Sequence, residues 1–542
     1  MTISNLTPPD PSGKTPQPDT FHHPLRLTLA ALALGLAVEV LFYARPLGIS
    51  FPLWAVLVCL VAVGIAWAES RRPARSSLWL IVPILCFAIL AFVRLEPFTL
   101  FLNIVLVLAL LAVWVRTFRT GRLLNFGWVD YAVALAWVPL EALLRPWQVL
   151  SAANRQALGD RGANSRLMAV LRGLLLALPI LVVFAALLTA ADLIFADYLR
   201  RAFEWLDLER LADLARRTVV VLLCTVFFLG ALVAALRDPG ERKLIGADKP
   251  LLAPFLGFTE STVVLAAVDL LFVLFVFIQL RYLFGGEANI TASGFTYSEY
   301  ARRGFGELVA VAFLTLGLIL GLGAYTRRST RQQQGWFLGL SAGMVALVGV
   351  ILTSAFLRLQ LYELAYGFTR LRAYTHAAIV WMGVSFLLFL VLLFAGNLRA
   401  FAPAAIGTVL GFALTLNVLN VDDFIVRRNA ERARTGIELD LVYLTGLSED
   451  SIPALAELAA ESPLALRKDI FPRLACHLAS LDQRAEKGWS STHLSILQAQ
   501  SALELWRESL SAYRVDTEGP RYGWTVEDPE GKTLGCFYPV SD

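Results

Sequence analysis

Long apolar runs recur along most of this chain, and they limit what it can fold into more than any other feature. Eleven of them are evident, at 25–43, 51–68, 77–93, 98–115, 167–190, 217–236, 258–280, 304–325, 335–357, 375–396 and 400–419. An α-helix rises 1.5 Å per residue, so runs of about this length cross a hydrocarbon core of roughly 30 Å. In lipid, every backbone N–H and C=O must be satisfied within the chain, which makes these runs helices. Composition agrees: 57% of residues are hydrophobic and 17% charged, against roughly 45–50% and 25% in soluble domains. Mean hydropathy is +0.64. Disordered, collagen-like and disulfide-scaffold classes are excluded, as is an ordinary cytosolic enzyme.

The charges divide the chain. Residues 424–542 hold 13 Lys/Arg and 18 Asp/Glu, whereas residues 1–423 hold 34 and 25. The first part is net +9 and the tail net −5, giving the +4 of the whole. Basic loops on a membrane part suit anionic lipid headgroups and not nucleic acid. The expected organisation is a disordered, Pro-rich leader at 1–24, a transmembrane bundle at 25–423 and a small, mainly helical soluble domain at 424–542. The fold class is all-α. The first run, Leu25–Tyr43, is long for a signal-peptide core and reads as an uncleaved anchor. In the tail, Ser448 opens one helix and 491–513 form another. The Gly-, Pro- and aromatic-punctuated stretch 514–542 suggests a small hairpin capping them.

A twelfth segment, Tyr131–Leu150, is interrupted by Pro139, Glu141, Arg145 and Pro146. Trp137 and Trp147 suit an interfacial or re-entrant helix. The positive-inside rule prefers twelve spans and a tail on the cytoplasmic side, while segment length prefers eleven and a tail outside. Residues 191–217 are amphipathic and are expected to lie along the surface. Cys59, Cys86 and Cys224 fall in apolar runs and read as small core residues. Cys476 and Cys536 would pair in an oxidising compartment and stay free in cytosol.

A charge at mid-bilayer costs about 2.5–3.5 kcal/mol even on the lenient insertion scale, so it must be paired or line a polar cavity. Glu39, Glu141, Arg281 and His376 are charges of this kind, and two stretches concentrate more of them. In the first, Thr296 and Glu299 have capping-box spacing, and Tyr297, Glu299, Tyr300, Arg302, Arg303 and Glu307 follow one another closely. Glu299 with Arg303, and Arg303 with Glu307, are i,i+4 pairs. In the second, Arg358, Tyr362 and Tyr366 recur every four residues beside Glu363, Arg370 and Arg372, and Gly367 is expected to break the helix. The arginines suit anion or counter-ion roles, the glutamates partner or proton-carrier roles, and the tyrosines hydrogen-bond donation. The competing view is that these charges simply lock helices together. Asp192 and Asp269 are secondary candidates: each could serve as a relay, with an interfacial cap or a helix-to-helix hydrogen bond as the better reading. His477 and His493 read as solvated surface residues. No metal-ligand spacing, P-loop, dinucleotide fingerprint or nucleophile elbow occurs, so no metal, cofactor or catalytic residue is assigned. Small-xxx-small spacing at Gly317/Gly321, Gly335/Gly339/Gly343 and Gly407/Gly411 predicts close helix contacts.

Several of these stretches resemble a group of bacterial membrane proteins known as domain of unknown function 4173, with a sister group numbered 4153. The resemblance rests on Leu187–Asp192, Gln279–Gly285, Thr296–Phe305, Ser354–Arg358, Ala365–Arg372, Asn417–Asn429 and Leu439–Leu444, and covers roughly 165–460. It implies a bacterial multi-span protein of the inner membrane and supplies no substrate. The leading expectation is therefore a non-enzymatic membrane protein that binds or conducts a small anionic or protonatable ligand. Its partners would be the lipid bilayer, that ligand, and a protein docking on the tail. The alternatives are a scaffold or sensor that orients the tail, and an enzyme acting on a lipid-linked substrate.

Overall fold

The computed structural model describes residues 21, 23–146, 184, 188, 192, 194, 208–237, 255–283, 305–485, 488–518 and 523–536. Ten helices among them are long and apolar enough to span a membrane. The bundle helices are α1 (Pro24–Phe42), α2 (Ser50–Ala68), α3 (Ile81–Val93), α4 (Pro97–Thr117), α5 (Trp128–Leu144) and α6 (Leu208–Leu236). They continue with α7 (Phe258–Leu283), α8 (Phe305–Tyr325), α9 (Arg331–Tyr366), α10 (Arg370–Phe394) and α11 (Phe401–Leu419). A short helical turn, Arg75–Leu78, precedes α3 and completes its span. The helices carry large apolar side chains outward, such as Trp79 and Phe313, as lipid-facing helices must. The leader at 1–20 and most of the run at 167–190 lie outside the described residues, as do residues 191, 193 and 195–207 of the amphipathic stretch at 191–217.

The bundle has two distinct faces. On one, the start of α1 meets the end of α2, where the His23 N–H donates to Glu69 Oε1 (3.0 Å). Arg71 and Arg119 both donate to the Leu236 carbonyl, at 3.0 and 3.3 Å, at the end of α6. Trp128 and Phe401 pack at 6.0 Å there as well. On the opposite face Tyr43 donates to Asp213 (2.6 Å), Glu39 pairs with Arg217 (3.3 Å), and the tail docks. Helix α5 packs on α6 closely: a Cβ added at Gly230 would lie 1.9 Å from the Ala142 carbonyl oxygen. Gly230 is two turns inside the Leu236 end of α6, so α5 enters the bundle from the Pro24 face. Its Glu141 is buried against Arg145 (2.7 Å).

Helix α9 has 36 residues, so it is about 54 Å long and outruns a ~30 Å hydrocarbon core. It ends where expected, at Gly367, whose φ of 84° favours glycine. A side chain there would also meet Asn429 Oδ1 at 2.6 Å. Asn420, left-handed at φ 51°, turns the chain from α11 into α12 (Val421–Ala433). Asn429 pairs with both the N–H and the carbonyl of Phe368, and Arg432 donates to the Leu364 and Ala365 carbonyls. A cationic side chain on those orphaned carbonyls complements the end of α9.

The rest of the tail forms α13 (Leu441–Thr445), α14 (Ile452–Glu461), α15 (Leu464–Ala485), α16 (Leu494–Glu504) and α17 (Arg507–Leu510). The helix expected over 491–513 breaks at Leu505-Trp506. Beyond it are three short antiparallel strands, β1 (Arg514–Asp516), β2 (Thr525–Glu527) and β3 (Thr533–Gly535), one more than a hairpin. Val515 opposes Val526, and Val526 opposes Leu534. Cys476 on α15 is disulfide-bonded to Cys536 after β3. The tail core is continuous with the bundle: Ala373, Ala377, Leu416 and Val421 pack in one cluster with Leu455, Leu474 and Trp524.

Three expectations are corrected. His477 and His493 are buried, at 2% and 3% exposure, and bond to the Thr445 and Leu47 carbonyls. Cys86 is exposed on the membrane surface, whereas Cys59 is core. Of the small-xxx-small glycines only Gly411 makes a close contact among the described residues, against the Trp381 ring; the close helix crossings are instead at Gly35 and Gly230.

Candidate functional site

Two polar assemblies occupy the tail-facing end of the bundle. The first is a junction built around three carboxylates. Glu96 ends the α3–α4 loop and caps α4, accepting from the Phe98 and Thr99 N–H groups at 2.9 and 2.7 Å, with Pro97 following where no N–H is needed. Tyr374 of α10 donates to the same carboxylate (2.5 Å). Asp422, in the first turn of α12, takes both arms of the Arg370 guanidinium at 2.8 and 2.6 Å, and the Ser448 N–H at 2.8 Å. Arg370 also lies 3.8 Å from Glu96. Asp450 accepts from the Leu95 and Glu96 N–H groups (2.8 and 2.7 Å), and Arg94 lies 4.0 Å away.

Ser495 Oγ donates to Asp450 Oδ1 and also contacts the Val93 carbonyl, which only accepts. Burial pushes the Asp450 carboxyl up, opposed by its bonds to Ser495, Leu95 and Glu96. Beneath this layer, Asn103 of α4 and Asn417 of α11 exchange two amide hydrogen bonds, at 2.9 and 2.8 Å.

The second assembly is a cavity of about 730 Å³ between α9, α10, α11 and α12. Its wall is mostly apolar, including Phe356, Phe368, Trp381 and Phe424, with Gln360, Glu363, His376 and Arg428 as polar members. Glu363, 3% exposed, sits in the last turn of α9 and bonds to His376 Nδ1 (3.0 Å). The imidazole rests edge-on against Phe356 at 4.6 Å, and its Nε2 is buried without a hydrogen-bond partner. Arg428 is held over Phe424 and pairs with Glu431 (3.0 Å).

The expected site residues are therefore distributed and not gathered. Glu363 lines the cavity. Arg370 is committed to the junction. Arg372 lies over the Tyr362 ring at 4.1 Å and donates to the Gly367 carbonyl, while Tyr362 and Tyr366 pack edge to face. Arg358 is buried on α9. Glu307 is exposed at the start of α8. Asp192 accepts from the Ile194 N–H (2.7 Å), a local turn. Asp269 on α7 has a buried Oδ1 with no hydrogen bond, so the interhelical bond expected of it is not made. Tyr297, Glu299, Tyr300, Arg302 and Arg303, and the side chain of Arg281, lie outside the described residues. Sequence reasoning missed Glu96, Tyr374, Asp422 and Asp450 as a group. Their signal was faint: a Glu-Pro between two spans, and acids in first helical turns that a helix dipole alone explains.

Apolar helices facing outward around a packed interior define a polytopic α-helical membrane protein. Residues 81–458 match the family described as Domain of unknown function (DUF4153), and the chain belongs to it. The resemblance to group 4173 is corrected accordingly; the sister group is the one matched, and the match begins well before residue 165. It takes in the cavity and most of the junction, but not Ser495, the disulfide or the strands. No curated protein and no solved structure matches the chain.

Proposed function

We propose that the protein is a membrane-embedded binding protein for a small, largely apolar, protonatable molecule held in the cavity between α9 and α12. One observation carries this reading: a buried carboxylate–imidazole pair, Glu363 and His376, on the wall of an otherwise apolar and aromatic cavity. About 730 Å³ falls within the ~300–1,000 Å³ of small-molecule sites. The anionic form of the ligand has less support, because Arg370 and Arg372 are already used within the protein. The scaffold or sensor reading gains from α12, which lines the cavity with Phe424 and Arg428 and packs the tail core with Ile425 and Val426.

The test is binding of a dansylated alkylamine to the full chain in nanodiscs, followed by fluorescence. Saturable binding is expected, weakened at least tenfold by Glu363→Gln. Val380→Trp, placed on an exposed lining position, should block the cavity without touching the pair. Unchanged probe affinity in both variants, each melting like the wild type, would sink the proposal.

A further inference from the structure

We infer that the C-terminal domain lies in an oxidising, extracytoplasmic compartment and that the Pro24 end of α1 faces the cytoplasm. Three separate observations converge on this.

The first is geometric. His23 is bonded at the Glu69 end of α2, with Arg71 and Arg119 on the Leu236 carbonyl, so these ends share one face. The tail is bonded to the other. The Ile49 N–H donates to the Thr492 carbonyl (3.0 Å), His493 Nε2 bonds to the Leu47 carbonyl (2.7 Å), and Asp450 holds the α3–α4 loop. Helices α1 to α4 alternate in direction between these faces. The Pro24 end and the tail are thus on opposite sides, and the number of crossings between them is odd. That supports the eleven-span count over the twelve-span one.

The second is chemical. Cys476 and Cys536 are bonded to each other deep in the tail core, 0% and 3% exposed. Cytosolic thiol buffers keep such pairs reduced, and disulfides persist in oxidising compartments.

The third is electrostatic. The described loops on the Pro24 face carry Arg71, Arg72, Arg119, Arg122, Arg327 and Arg328. On the tail face, the described bundle loops and helix ends carry Arg45, Arg94, Arg210, Arg216, Arg217, Arg370 and Arg372, of which Arg94, Arg216, Arg217 and Arg370 lie against Asp450, Asp213, Glu39 and Asp422; the Pro24 face adds Arg26, Arg75, Arg116, Arg237, Arg331 and Arg399 to its count and stays the more basic. Lys and Arg are retained on the cytoplasmic side of membrane proteins. The loop charges alone prefer an even count and a cytoplasmic tail, but once the geometry makes the crossings odd, the more basic face is the one opposite the disulfide, and the two rules then choose the same orientation. The cavity lies at the tail-facing end, so on the ligand reading above its occupant arrives from outside; the sidedness itself does not depend on that reading.

The experiment is site-specific thiol labelling of the full chain in spheroplasts of a bacterial host, with Cys59, Cys86 and Cys224 replaced by alanine. Leu505→Cys reports on the tail and Leu124→Cys on the other face, both being highly exposed (87% and 73%). A membrane-impermeant maleimide is expected to label Leu505→Cys in intact spheroplasts and Leu124→Cys only after lysis. The reverse pattern overturns the orientation, and equal labelling of both overturns the opposite-face geometry. In the alanine background without either reporter, N-ethylmaleimide quenching and then a mass-tagged maleimide should add no tag before reduction and two after. No tag even after reduction, the free thiols having been blocked by N-ethylmaleimide, overturns the oxidising assignment.

Discussion

Asp450 offers the sharpest test of how bundle and tail are joined. Replacing it with alanine strands the Leu95 and Glu96 N–H groups, which it alone accepts. An unsatisfied buried donor costs about 1–3 kcal/mol, so two cost roughly 2–6 kcal/mol, before counting the lost contact to Ser495. Asparagine keeps the acceptor: its carbonyl oxygen takes both N–H groups, and its amide donates to Ser495 Oγ, the arrangement that a protonated Asp450 would make. Asp450→Asn should then cost under about 1 kcal/mol, within the range of a conserved hydrogen-bond pattern. The pH dependence follows from the same proton. Burial raises the folded-state pKa above the unfolded value of about 3.9. The folded state then holds the proton more tightly, so this stabilisation is complete below about pH 4 and declines as pH rises through the folded value. The gap between wild type and Asp450→Asn should narrow accordingly as pH rises. The assay is thermal unfolding in detergent micelles by tryptophan fluorescence, from pH 4.5 to 8.5. If asparagine destabilises as much as alanine at every pH, Asp450 is a working carboxylate and the proton assignment is wrong.

Further predictions concern other parts of the same seam. Asn417→Leu should cost about 1–3 kcal/mol by orphaning Asn103 in the bundle, and Asn103→Leu with Asn417→Leu should recover most of it; a double variant as unstable as the sum of the singles would show that the amides act independently. Burial lowers the His493 pKa, so the folded state excludes the protonated ring, and the stability this gives at neutral pH is lost as pH falls below about 6.5. His493→Gln should therefore flatten the loss of melting temperature between pH 7.5 and 5.5, and an unaltered slope would assign the loss elsewhere. Residues 424–542 expressed alone lack the Ala373, Ala377, Leu416 and Val421 surface of their core; they are expected to bind a hydrophobic dye and to melt without cooperativity, and a sharp two-state transition would show instead that the tail folds by itself.

The helices were legible because lipid imposes one rule on every spanning residue, and runs such as 258–280 and 400–419 satisfy it almost without interruption. The break at Gly367 was legible for the same local reason, since a glycine after a polar-aromatic helix end has few other uses. The junction was not. Glu96 and Asp422 are over three hundred residues apart and meet through Arg370, which no local spacing announces. Buried histidines escaped for a similar reason. His493 looks solvent-bound in a tail rich in charge, and its burial comes from bundle residues far away in sequence, the Leu47 carbonyl and the Phe92 ring. Periodicity also misled where a property of one helix was read as a property of a pair. The glycines at 335, 339 and 343 do share a face of α9, but close approach needs a second helix, and none among the described residues comes within contact of them.

The grip of Asp450 and Ser495 on the loop after α3 bears on how the protein is made. Translation delivers residues 93–96 to the membrane long before 450 and 495 exist, so the Leu95 and Glu96 amides first wait in water or headgroup, unclaimed. They are claimed only when the tail arrives, and the tail can complete its own core only if α10 and α11 are already seated. Residues that emerge late thus act as a clasp over a loop that emerged much earlier. A chain whose first four helices are misinserted has nothing for that clasp to close on, which leaves an incomplete tail exposed to proteases as the visible mark of a fault far upstream.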